Sequence, residues 1–170
     1  MEKEVYEAKD LFLAHGRWHS WMHHSDFSSS SQEETLAKAN FRFAKAKNKI
    51  VKANWLMVTF GTAYVYIHKE TQKVVGNCHK MPARMFTRSM LDVKTIVDEW
   101  QDVLKKCRAV NPTLKVLFTV SPIRHAKDGM HGNQLSKATL LLAADELCRR
   151  CPDCFYFPSY EIMMDELRDY

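Results

Sequence analysis

The unit that most limits what this chain can fold into runs from Lys115 to Cys151. Its first part, KVLFTV from Lys115 to Val120, is apolar and β-branched and is bounded by Asn111-Pro112 and Ser121-Pro122, which predicts a buried strand. A loop follows that carries His125, Asp128 and His131, and then a helix is predicted from Asn133 to Cys151. The helix contains Leu140 to Ala144, a run too continuous for a one-faced surface helix and suited to packing on a sheet. A polar loop leading from the carboxyl end of a strand into a helix is where open α/β sheets place ligands.

The rest of the chain repeats this alternation. Ser31 with Glu34 makes a capping-box pattern before an amphipathic helix from Leu36 to Ala53. Trp55 to Phe60 (WLMVTF) predicts a second buried strand, ending at Gly61. Ala63 to Ile67 and Lys73 to Gly76 predict a hairpin, and Pro82 opens a short helical piece. A helix from Asp92 to Cys107 puts Val93, Ile96, Val97, Trp100, Leu104 and Cys107 on one face. A short strand from Phe155 to Phe157 and a terminal helix from Tyr160 complete the order. Strands alternating with helices of this length predict one α/β domain over residues 1–170, a three-layer α/β/α fold with a mostly parallel sheet. In it Trp55 to Phe60 and Lys115 to Val120 are expected to be almost fully buried.

Composition narrows the partners. No run reaches the roughly 18–20 apolar residues that span a bilayer, and MEKEVYEAKD has neither the basic start nor the apolar centre of a signal peptide. The expectation is a cytoplasmic protein without a membrane partner. The net charge of +5 rests largely on Lys38, Arg42, Lys45, Lys49 and Lys52, one side of the 36–53 helix. That pattern reads as a solvated face with lysine stems over apolar surface, so no nucleic acid is expected; binding DNA or RNA through this helix is the lesser alternative.

Metal and cofactor signals are weak. Cys148, Cys151 and Cys154 form CxxCxxC, but no fourth ligand follows at ferredoxin spacing and Pro152 separates helix from strand, so convergence of the three thiols is not required. His15, His19 and His23 recur at i, i+4 and i+8 and would share a face in a helix, which Gly16 argues against. No metal and no cofactor are therefore expected. HExxH, P-loop and GxGxxG patterns are absent. Cys78 and His79 are adjacent, so in an extended segment they point apart and cannot act as nucleophile and base.

Four residues of the 121–143 loop and helix start, His125, Asp128, His131 and Asn133, form the leading polar group. They are read either as a site or as a polar loop whose Asn133 caps the next helix. Five blocks in order, LAHGRWHSWMHHSDFS, TFGTAYVY, VGNCHKMPARMF, SPIRHAKDG with NQLSKATLLLA, and FPSYEIMMDELRDY, resemble the bacterial GSCFA family. That family is read as a branch of the SGNH/GDSL hydrolase-like proteins, which implies a flavodoxin-like three-layer fold. It also implies an esterase or deacylase acting on an acylated small molecule or carbohydrate. The family's Gly-Ser-Cys-Phe-Ala segment, which holds the nucleophile, does not occur here, and its Asp-x-x-His-Pro segment falls beyond Tyr170. The chain is thus expected to be the central portion of a family domain, incomplete at both ends, with no catalytic residue assigned. The resemblance makes Gly61, Thr62, Asn77, His125, Asp128 and Asn133 candidates to line the cleft, with Trp18 and His19 at its rim. The alternative is an inactive binding module of the same fold.

Overall fold

The computed structural model describes residues 5–167, so Arg168 to Tyr170, the end of the last family block, lie outside it. In chain order come strands β1 (Leu11–Ala14) and β2 (Arg17–Ser20), helix α1 (Gln32–Lys52), and strands β3 (Trp55–Phe60), β4 (Tyr64–His68), β5 (Lys73–Val75) and β6 (Phe86–Met90). Helix α2 (Val93–Val110), strand β7 (Lys115–Val120), helix α3 (Gly129–Arg150), strand β8 (Cys154–Phe157) and helix α4 (Ser159–Glu161) follow, with a π-helical turn at Ile162–Glu166. They form two compact units, Met1–Lys49 with Val65–Ser89, and Ile50–Tyr64 with Met90–Tyr170. Among the described residues no helix is long and apolar enough to cross a membrane.

The second unit holds the predicted sheet. Its three strands are parallel in the order β3-β7-β8, with Trp55 opposite Lys115, Phe60 opposite Val120 and Val116 opposite Cys154. Parallel neighbours need a crossover, and α3 provides the one between β7 and β8. Helix α2 begins where the Asp92 side chain accepts a hydrogen bond from Thr95 N at 2.7 Å. At its far end the Asn111 amide donates to the carbonyls of Ile50 and Ala53, both at 2.8 Å. The core unites Ile96, Val97 and Leu104 of α2 with Val116, Phe118 and Val120 of β7 and Leu140, Ala143, Ala144 and Leu147 of α3. A parallel three-stranded sheet flanked by helices is consistent with the expected three-layer α/β/α class.

The burial of β3 differs from expectation. Its residues alternate exposed and half-buried, Met57 being 73% exposed. Leu56, Val58 and Phe60 turn to the core, whereas Trp55, Met57 and Thr59 share the opposite sheet face with Leu117 and Phe155, and that face is open. Strand β7 also shows two faces, with Val116, Phe118 and Val120 buried and Lys115 exposed. An apolar run reads as buried on both faces, but side chains alternate across a strand, and in β3 the alternate residues Trp55, Met57 and Thr59 remain exposed.

In the first unit β1 and β2 form an antiparallel hairpin, with Ala14 opposite Arg17. The tight turn between them is His15-Gly16, with φ of 50° and 69°. His15, His19 and His23 therefore do not line a helix face: His15 is in the turn, His19 in β2 and His23 beyond it. The predicted hairpin of β4 and β5 is present, with Tyr66 opposite Val75. A strand not predicted, β6, joins it after the short helical turn Ala83–Met85, giving the order β5-β4-β6. Helix α1 starts at the predicted cap, Ser31 Oγ accepting from Glu34 N at 3.2 Å, while Glu34 takes the Ser29 hydroxyl instead of closing the box.

Candidate functional site

Five of the eight candidates lie in the second unit, at the carboxyl ends of β3 and β7. Gly61 and Thr62 follow β3, and the Ser121–Asp128 loop follows β7. The loop's shape is set from α3. Asn133 lies inside that helix and does not cap it, since α3 already starts at Gly129; its Oδ1 accepts from His125 N at 3.0 Å. Asp128 closes a turn, its N–H donating to His125 O at 3.0 Å. The His125 ring faces β3's end: a β-carbon on Gly61 would stand 4.0 Å from its Nε2. His131 is exposed on the first turn of α3.

Two buried residues join the loops. Lys137, 1% exposed, donates from Nζ to Gly61 O and to Ser121 O, each at 2.6 Å. One ammonium thus ties together the first residues after two adjacent parallel strands. Burial pulls its pKa below the ordinary lysine value. Beside it, Ser136 Oγ accepts from Ala63 N at 2.8 Å and lies 3.1 Å from Thr62 Oγ1, which in turn accepts from Tyr64 N at 3.2 Å.

A pocket of about 430 Å³ shares Asn133 with the loop after β7 and is lined by Arg124, Met130, Asn133, Gln134, Tyr160, Met164 and Asp165. Its size falls within the roughly 300–1,000 Å³ of small-molecule sites. Tyr160 donates to Gln134 Oε1 at 2.7 Å, and Ser159 Oγ donates to Val120 O at 2.8 Å, holding α4 to the end of β7. Apart from Asn133, none of these lining residues is picked out by sequence. The spacing of Asn133, Ser136, Lys137, Leu140 and Ala144 nevertheless puts the polar residues on the core stripe of α3, the signal from which their burial could be foreseen.

Trp18, His19 and Asn77 lie in the first unit. Trp18 N–H donates to Ser29 O at 2.7 Å. His19 is buried, with Nε2 3.1 Å from Ala14 O and Nδ1 2.7 Å from Ser28 Oγ. A carbonyl only accepts, so Nε2 carries the proton and Nδ1 accepts from the serine. This has the geometry of a base beside a nucleophile, but Ser28 is 2% exposed, which makes the contact a structural one. Burial also lowers the His19 pKa, with smaller contributions from His79, Arg17 and His15. Asn77 Oδ1 accepts from His79 N at 2.8 Å, closing its own turn. Among the described residues no group of three or more His, Cys, Asp and Glu side chains is placed to hold a metal ion.

The geometry defines an α/β protein with polar loops gathered at the carboxyl ends of parallel strands. The GSCFA family model matches residues 1–170, and the chain belongs to the GSCFA family. No curated protein and no solved structure matches it.

Proposed function

We propose that this chain supplies one wall of the cleft of an SGNH-type acyl-ester hydrolase acting on an acylated small molecule or carbohydrate. The observation that carries the reading is the joining of the β3 and β7 loops by Lys137, with Asn133 common to the β7 loop's hydrogen bonding and to the lining of the 430 Å³ pocket. A site at the carboxyl ends of adjacent parallel strands is where α/β folds bind small ligands. Met130 and Met164 offer apolar surface for an acyl chain, and Asn133, Gln134 and Tyr160 offer hydrogen bonds to a polyol. Gly61, Thr62, His125 and Asp128 form the end of the wall nearest the strands. Neither the nucleophile nor its base is assigned to a residue of this chain.

The test is hydrolysis of a short-chain p-nitrophenyl ester by the gene product that carries this chain, abolished by a serine-directed fluorophosphonate. Hydrolysis that the phosphonate leaves untouched contradicts a serine mechanism. A second reading, a binding module of the same fold, is favoured by one observation. Among the described residues, the Ser121, Ser136 and Ser159 hydroxyls bond to backbone or hydroxyl groups and none to an imidazole. That reading expects an acylated sugar to bind without turnover and without phosphonate labelling.

A further inference from the structure

The cysteine-rich segment after α3 has no part in the cleft. Cys151 and Cys154 are both buried, and their Sγ atoms are 2.7 Å apart. Non-bonded carbon atoms at optimal separation stand roughly 3.5–4.0 Å apart, and sulfur is larger, whereas a disulfide bond is about 2.0 Å long. The two sulfurs thus lie between contact and bond. From this geometry we infer that Cys151 and Cys154 are a disulfide-forming pair, a site of reversible thiol oxidation within the chain.

The backbone prepares the pair. Cys154 N donates to Cys151 O at 3.0 Å, an i to i+3 bond that marks a β-turn. The ends of such a turn lie within about 7 Å, and a disulfide needs Cα atoms about 4.4–6.8 Å apart. Pro152 occupies the second turn position, where its fixed φ fits, and Cys151 has the extended backbone that a residue before proline adopts, φ −136° and ψ 107°. Little backbone freedom remains to be lost when the bond closes.

The surroundings separate this pair from a redox-catalytic CxxC. A catalytic pair has a thiol activated by a helix N-terminus or a nearby cation. Here Cys151 follows the C-terminus of α3, and burial, with the neighbouring Cys151 sulfur, pushes the Cys154 thiol up to about 12. The Arg108 guanidinium, 3.9 Å from Cys154 Sγ, offsets only part of this. A thiol so disfavoured as an anion is a slow exchanger, suited to holding a bond and not to passing it on.

The oxidant is a low-molecular-weight disulfide. One cysteine thiolate attacks it, forming a mixed disulfide and releasing one thiol. The second cysteine then attacks the protein-side sulfur and releases the other thiol. Two protein thiols become one disulfide, and their two electrons and two protons leave on the two small thiols.

The test uses the full chain, reduced and then incubated with oxidised glutathione, acid-quenched, denatured, alkylated and digested with trypsin. Cleavage after Arg150 leaves Cys151 and Cys154 on one peptide and Cys148 on another. The expected result is a Cys151 peptide without alkyl groups, two hydrogens lighter than its dithiol, restored by dithiothreitol, while Cys78, Cys107 and Cys148 are alkylated. Its share of the product should exceed that from urea-unfolded chain by about tenfold or more, because the fold holds the two thiols together. Cys148→Ser should leave the result unchanged. Full alkylation of both cysteines, a glutathione retained on either, a bond to Cys148, or the same mixture from folded and unfolded chain would overturn the inference.

Discussion

At the level of single residues the two loops after β3 and β7 are joined by Lys137. A lysine inside a helix reads as a surface residue, yet this one is sealed in the core with two carbonyls on its ammonium. Lys137→Met keeps the stem and removes the donors, leaving the Gly61 and Ser121 carbonyls without their partner. The expected loss is about 2–4 kcal/mol in urea unfolding; a loss within experimental error would mean that the two loops are held by other contacts. Asn133→Ala removes the acceptor of His125 N and should lower stability by about 1–2 kcal/mol while raising the KM of any ester substrate more than it lowers kcat. The strands that deliver His125 and Gly61 were legible from their apolar runs and the Pro and Gly that end them. The residues that join the loops were not, because a serine and a lysine within a helix pattern carry no signal of burial except their place on the stripe of Leu140 and Ala144.

Among the elements, the β1–β2 hairpin shows how spacing can mislead. Histidines at i, i+4 and i+8 fit a helix, but LFLA and RWHS around His15-Gly16 also fit two strands and a turn, and a turn with positive φ at both positions is the commonest short hairpin link. The hairpin puts His19 in a buried place where its pKa is lowered. Between that folded value and the ordinary 6.5 the unfolded chain holds a proton that the folded one lacks. Stability should therefore fall as the pH drops below 6.5 and be regained as it rises. Urea midpoints measured from about pH 7.5 to about pH 5.5 should show this slope, and His19→Gln should flatten it. An unchanged slope would assign the dependence to another group. The predicted start of α2 is confirmed by the Asp92 cap, and Asp92→Ala should cost about 1 kcal/mol.

For the whole molecule, the open face of the β3-β7-β8 sheet matters most. Trp55, Met57, Phe155 and Phe157 are all exposed, and contiguous apolar surface of this kind drives association. The 170-residue chain should scatter light at concentrations where Met57→Glu with Phe155→Glu stays monodisperse; equal scattering would place the adhesive surface elsewhere. WLMVTF could not disclose this in advance, because an apolar run shows which side chains favour burial and not whether a second layer covers them. The proposed ligand surface lies at the carboxyl ends of β3 and β7. The direct test is the backbone amide chemical shifts of the 170-residue chain titrated with N-butyryl glucosamine, an acylated sugar whose amide linkage is more resistant to hydrolysis than an ester. The expected shifts are concentrated at residues 61–63, 121–134 and 160–165. Shifts confined to the β1–β2 hairpin or the 77–79 turn, or none at saturating ligand, would contradict it.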